Sequence, residues 1–251
     1  MKIDRTAWGR LRVSGGDRVR FLQGLTTINV EKLGDGDLAW GAILNPKGRV
    51  LSVIAIERLG ESFGVLCEPS LSDSTRALFE RYAVMDDVTF EQMTGPAHMV
   101  IESADDFWTA KLVHGAGDVA ETDVAAEQLR IHAGFLRYGA DVDADCFPFE
   151  TPLVRFLDYS KGCYVGQEPV FRVHAQGNAA RALRGLVIAG EASAGAVIKH
   201  PAKDHAGKVT SAIAAGDGTT LALGYLHRTA WEVGGTVEIA GHKAMVHELP
   251  W

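Results

Sequence analysis

Lys161-Gly162-Cys163-Tyr164-Val165-Gly166-Gln167-Glu168 is the most informative stretch of this 251-residue chain. It sets a thiol directly after one glycine and three positions before another. A lysine stands two positions ahead of the thiol, and a Gln-Glu pair begins four positions after it. Glycine permits close backbone approach and positive φ, so the run reads as a built turn. Pro169 is tolerated if it lies in the first turn of a helix that begins near Gly166. Such a helix N-terminus, together with Lys161, would favour the thiolate of Cys163. Taken alone, Cys163 reads rather as a small buried hydrophobe. Tyr164 has an apolar body and a polar tip, suited to packing or to covering a ring. Gln167 and Glu168 also suit the first turn of a helix, whose dipole favours negative charge.

Further pieces lie on both sides of this block. Upstream are Phe21-Leu22-Gln23-Gly24, Pro46-Lys47-Gly48-Arg49, Arg130-Ile131-His132-Ala133-Gly134, Tyr138-Gly139-Ala140-Asp141 and Pro148-Phe149-Glu150. Downstream are Gly177, Arg181-Ala182-Leu183, Gly207-Lys208-Val209-Thr210-Ser211 and Leu221-Ala222-Leu223-Gly224-Tyr225. In this order, over nearly the whole chain, they resemble the YgfZ family. That family comprises folate-binding proteins linked to iron–sulfur cluster assembly and repair, and is a relative of the glycine-cleavage T-protein, an aminomethyltransferase. The resemblance implies an α+β fold: a T-protein-like folate-binding region over 1–180, in two α+β subdomains, and a small C-terminal β-barrel over 181–251.

The resemblance also implies a cofactor, tetrahydrofolate or a related folate, in a central cleft. The candidate cofactor-binding residues are His132, Tyr164, Gln167, Glu168, Arg172 and Arg181. Arginines 172 and 181 could hold the carboxylates of a folate glutamate tail through planar bidentate hydrogen bonds. Cys163 and Lys161 are the candidate catalytic pair. Some residues depart from the family pattern. His132 stands where the T-protein has a pterin-contacting glutamate, which implies weaker or altered folate binding. Thr27-Ile28-Asn29 loses the acid of a Thr-Asn-Asp segment, and Phe171 stands where alanine is usual. Ser52 and Val53 lie where the T-protein carries its catalytic aspartate, so aminomethyl transfer is not expected.

Composition narrows the alternatives. Three cysteines, Cys67, Cys146 and Cys163, are too few and too scattered for a disulfide framework. A reducing compartment is therefore expected, the cytoplasm or an organelle matrix. Three thiols also fall short of the usual four-cysteine cluster ligand set. Neither a Cys-x-x-Cys nor a His-x-x-x-His pair begins a zinc site. No apolar run approaches the roughly 20 residues of a membrane helix, and the first residues lack the apolar core of a signal peptide.

Net charge is −7, which argues against broad nonspecific nucleic-acid binding. Charge is unevenly spread: residues 85–127 carry a balance of −9, and residues 155–184 one of +3. The basic stretch overlaps the signature, where an anionic ligand is the more plausible.

Hydrophobic periodicity supplies the elements. Asp17 to Leu25 reads as an amphipathic helix through Val19, Phe21, Leu22 and Leu25. Leu38–Leu44, Val50–Ile56 and Phe63–Cys67 read as an antiparallel meander, with Cys67 in the core. Ser70 to Tyr82 reads as a helix capped by Ser70 or Ser72, with Leu71, Leu78 and Phe79 inward. Val88–Phe90 and His98–Ile101 read as strands. A helix from about Asp123 ends at Gly134, a good C′ glycine. A short helix spans Leu153 to Leu157. From Arg184 the texture turns to short β-prone runs separated by glycine, as in a barrel or sandwich.

The first expectation is thus a YgfZ-like protein whose partners are iron–sulfur enzymes or cluster-assembly proteins. The rivals are a folate-dependent one-carbon transferase and a non-folate scaffold or tRNA-modification accessory protein.

Overall fold

A computed structural model describes residues 1–101, 107–117, 123–176 and 179–251. Gly177 of the downstream motif, and Glu102, Asp105, Asp106, Asp118 and Glu121 of the acidic stretch, lie outside the described residues. In chain order the first elements are β1 (Lys2–Asp4), β2 (Gly9–Ser14), α1 (Arg18–Leu25), β3 (Leu38–Leu44), β4 (Val50–Leu59) and β5 (Ser62–Cys67). Next come α2 (Ser72–Tyr82), β6 (Thr89–Gln92), β7 (Ala97–Val100), β8 (Lys111–His114), α3 (Asp123–His132) and α4 (Gln167–Gln176). The last six strands are β9 (Arg181–Ile188), β10 (Val197–His200), β11 (Lys203–Ala214), β12 (Thr220–His227), β13 (Thr236–Ile239) and β14 (His242–His247).

The meander forms the core of a five-stranded antiparallel sheet in the order β3-β4-β5-β2-β6. Side chains alternate faces along a strand, and β4 is buried on both. Ile54 and Ile56 face α1 and α2, where Phe21, Leu22 and Phe79 complete a core. Val53 and Ala55 face the opposite side, against Met99, Trp108 and Phe135. Phe21, Phe79 and Phe90 pack with ring centroids 5.5–5.6 Å apart, and burying each such ring stabilises the fold by about 1.5–3 kcal/mol. The N-terminal strand β2 inserts between β5 and β6, and β1 pairs with β7 in a second, three-stranded sheet that ends in β8. Neither N-terminal strand stands out in the sequence pattern.

Strands β10-β11-β12-β9-β14-β13 close into a barrel. Pairing of Ile198 with Ile239 seals it, so no unpaired edge remains. Leu186, Ile188, Ile198, Val209 and Val246 fill its own core. Leu183, Leu221 and Leu223 belong to the larger core instead, with Trp40 and Phe135. The barrel wall is thereby fused to the α+β region.

One local expectation changes. Neither Ser70 nor Ser72 caps α2: the chain enters through a 3₁₀ turn, Pro69–Leu71, and no side chain caps the helix. The turn's own i→i+3 bond, Ser72 N–H to the Pro69 carbonyl, takes up a leading amide. Cys146 is buried. The Arg181 guanidinium lies 3.7 Å from its sulfur, and the Tyr225 hydroxyl 3.3 Å. Elsewhere the pattern holds: α3 ends before Gly134 at φ +63°, and a 3₁₀ helix spans Pro152–Phe156.

Candidate functional site

The signature turn is held from three sides. Asp158 anchors its start. One carboxylate oxygen accepts the Ser160 and Lys161 amides and the Ser160 hydroxyl; the other accepts Asn29 Nδ2 and Lys32 Nζ. Hydrogen bonds from Lys32 and then Ser160 hold this carboxyl well below the usual aspartate range. Val165 N–H donates to the Gly24 carbonyl at 3.0 Å, tying the turn to the Phe21–Gly24 motif. Gly166, at φ +79°, lies so close to the Asn45 carbonyl and the Gly48 Cα that a Cβ would overlap the oxygen. Three sequence motifs thus meet at one point.

Lys161 is buried, and its Nζ donates to the carbonyls of Thr26, at 2.7 Å, and Ile28. Burial lowers its pKa to about 8, although Asp158 and Glu31 oppose this. The ammonium is therefore an internal strut, with Tyr164's ring 5.2 Å away. Tyr164 is itself buried, and burial raises its hydroxyl to about 12. Cys163 points outward, exposed, into a shallow groove. The cation sharing that groove is Arg20, with Gln23 and Glu31 nearby. Helix α4 begins four residues beyond the thiol, at Gln167. Glu168, Arg172 and Phe171 are exposed on it.

The remaining motifs converge on two polar nodes. Asp141, fully buried, accepts Arg130 Nη1 at 2.7 Å, the Arg137 amide at 3.1 Å, and the hydroxyls of Thr210 and Ser211 at 2.6 and 2.8 Å. Successive strand residues normally point to opposite faces. Here the pairing of β11 with β12 shifts register between Val209 and Ser211, and both hydroxyls reach one carboxylate. At the second node Arg181 grips Glu150 through Nε and Nη2 at 3.2 and 3.1 Å and covers the Tyr225 ring at 4.5 Å.

A cavity of about 690 Å³ opens between β1, α3 and the chain just past the end of β5. This is the size of a small-molecule site. Trp8, Phe107 and Phe135 wall it, with Glu68, Arg5 and Arg137 as polar groups. Trp40 backs the wall, its ring 4.8 Å from that of Phe135. Arg5 lies over Trp8 at 4.5 Å, and burial lowers its pKa to about 10. Burial raises the Glu68 carboxyl above its usual value, against the pull of the Tyr138 amide, Arg137 and Arg130. Glu127 bridges Arg130 and Arg137, each at 2.8 Å. An aromatic slot with a half-buried carboxylate and flanking guanidiniums fits a planar, donor-edged ring with an anionic tail.

No protein-family model matches the chain. The fold superposes on the glycine cleavage system aminomethyltransferase T from Bartonella henselae with a TM-score of 0.82. That match covers 99% of this chain and 85% of that one at 19% identity. A tRNA-modifying protein YgfZ from Yersinia pestis is 26% identical over 84% of this chain and 80% of its own length. The chain is YgfZ-like, on an aminomethyltransferase fold. A putative transferase of Arabidopsis thaliana chloroplasts, At1g60990, is 24% identical over 99% of this chain and 70% of its own.

In this YgfZ-like chain none of the six nominated cofactor residues lines the 690 Å³ cavity. The His132 ring packs on Trp251, centroids 4.7 Å apart. Tyr164 and Gln167 belong to the turn, where Gln167 Oε1 accepts the Tyr164 amide at 3.4 Å. Arg181 lines a different cleft. The cavity residues Arg5, Trp8, Glu68 and Phe135 escaped the sequence reading. Glu68 alone carried a local signal, a carboxylate set between a buried strand and Pro69. Ser52, where an acid would be needed for aminomethyl transfer, is buried and hydrogen-bonded to Thr75 at 2.9 Å. Among the described residues no helix is long and apolar enough to cross a membrane.

Proposed function

We propose that the protein binds tetrahydrofolate or a related folate in the aromatic cavity and supports the assembly or repair of iron–sulfur enzymes. The observation that carries the reading is the pairing of Glu68 with the Trp8, Phe107 and Phe135 walls on this fold. A carboxylate accepts the donor edge of a pterin, and the aromatic faces stack on its ring. Arg5 and Arg137 would meet the glutamate carboxylates. Bound there, the folate would supply one-carbon chemistry. The chain contributes positioning, exclusion of water and, at Cys163, an outward thiol.

Aminomethyl transfer is not part of the proposal. Ser52 offers a neutral hydroxyl already paired with Thr75, and Val53 lies in the core. Neither can handle a proton as a carboxylate does. The YgfZ relatives are named for tRNA modification, a role this chain would serve through the enzymes it supports.

The test is a tetrahydrofolate titration followed by intrinsic tryptophan fluorescence, since Trp8 lines the cavity and Trp40 backs it. A saturable change is expected, weakened at least tenfold, about 1.4 kcal/mol, in Glu68→Gln. Absence of a response up to millimolar ligand, or an unaltered affinity in the variant, refutes the site. Complementation of a strain lacking its own YgfZ, read by iron–sulfur enzyme activity, tests the wider role.

A further inference from the structure

A second cleft, of about 730 Å³, lies between the barrel and the Phe147–Glu150 turn, away from the residues of the folate proposal. Its floor is small, Ala206 and Gly207 of β11, and Gly207 approaches the Tyr225 carbonyl too closely to admit a Cβ. Arg49, Arg181, Lys203 and Lys208 line it, with Asp145 and Glu150 as the opposing carboxylates. Glu150 is neutralised by Arg181. Lys203 and Lys208 are exposed, and neither forms an ion pair with a described residue. Asp204 does not line the cleft. In a chain of net charge −7 this cleft is locally positive.

The walls are aromatic as well as basic. Phe147 and Phe149 stack at 4.8 Å with planes 17° apart, and the Arg49 guanidinium caps Phe147 at 3.6 Å. Burial first, then the charges of Lys203 and Arg228, hold His227 on the cleft wall below the usual histidine range.

We propose that this cleft binds a nucleoside phosphate, with Lys203 and Lys208 meeting the phosphate and the Phe147–Phe149 stack receiving the base. Lysine ammoniums act as point charges toward phosphate. Aromatic faces beside a basic groove are how proteins hold a nucleotide unit without reading its sequence. A free nucleotide and a nucleotide within a single strand share this chemistry. The inference is independent of the folate site.

The full-length protein is titrated with etheno-AMP by fluorescence anisotropy. Unlabelled AMP, inorganic phosphate and a 5′-phosphorylated tetraadenylate RNA serve as competitors. Saturable binding is expected, with AMP competing at least tenfold better than phosphate. The paired substitution Lys203→Ala, Lys208→Ala touches only exposed side chains and should weaken binding at least tenfold at unchanged Tm. Phe149→Leu should weaken AMP but not phosphate. A tighter tetranucleotide assigns the site to a strand, and a tighter AMP to the free nucleotide; either supports the proposal. No saturation up to millimolar probe, indifference to the lysine pair, phosphate competing as well as AMP, or displacement by tetrahydrofolate would overturn it.

Discussion

Asp141→Ala is expected to destabilise the protein by about 4 kcal/mol or more. The carboxylate is wholly shielded from water and takes four donors from three parts of the chain. Breaking a buried ion pair from one side costs about 3–5 kcal/mol. Arg130 keeps Glu127 at 2.8 Å and the Phe135 carbonyl at 2.6 Å, which places its share at the low end. Thr210 can turn to the Leu223 carbonyl, 3.2 Å away. Ser211 is buried, with Asp141 as its recorded side-chain partner, and an unsatisfied hydroxyl adds about 1–3 kcal/mol.

The assay is urea denaturation. At a slope of about 3 kcal/mol/M, a loss of 4 kcal/mol moves the midpoint by about 1.3 M. In a Ser211→Ala background the same substitution should cost about 1 kcal/mol less, because no hydroxyl is orphaned. A loss below about 1 kcal/mol, or strict additivity with Ser211→Ala, would refute the reasoning that joins α3 to the barrel through this carboxylate.

Cys163 should be the thiol that alkylates in the native protein, and Cys163→Ser should abolish that labelling. Cys67 and Cys146 are buried, and burial raises both, Cys67 to about 11; equal labelling of Cys146 would count against this. Lys161→Met tests the strut. With its folded pKa lowered to about 8 from 10.5, wild type releases a proton that the unfolded chain keeps, so its stability relative to the variant should rise from pH 8 to 10.5. A flat difference across that window would show the amine to be solvated. Gly166→Ala should cost at least about 2 kcal/mol, since it combines a left-handed backbone with overlap on the Asn45 oxygen; near-native thermal stability would contradict the packing. The purified protein, given the other glycine-cleavage components, should show no folate-dependent aminomethyl transfer.

The sequence by itself determined what is encoded within a few residues. The 3.6-residue period marked α1, apolar runs separated by turn residues marked the β3–β5 meander, glycine chemistry ended α3 at Gly134, and the texture beyond Arg184 announced the barrel. Motif order also carried the resemblance that the fold and the relatives bear out. Only the tertiary structure decided which groups meet. Lys161 reads as a cation beside a thiol, yet it is drawn inward because two carbonyls some 130 positions earlier need donors. The cation near Cys146 comes from Arg181, across the barrel's edge. Strand β2 pairs between β5 and β6, a choice made by shared burial and not by any local signal. The cavity gathers Arg5, Trp8, Glu68 and Phe135 from three separated segments. Local conformation follows from the torsional preferences and spacing of neighbours. A site built from distant residues exists only once packing has selected one of many compatible arrangements, and that selection is a property of the whole chain.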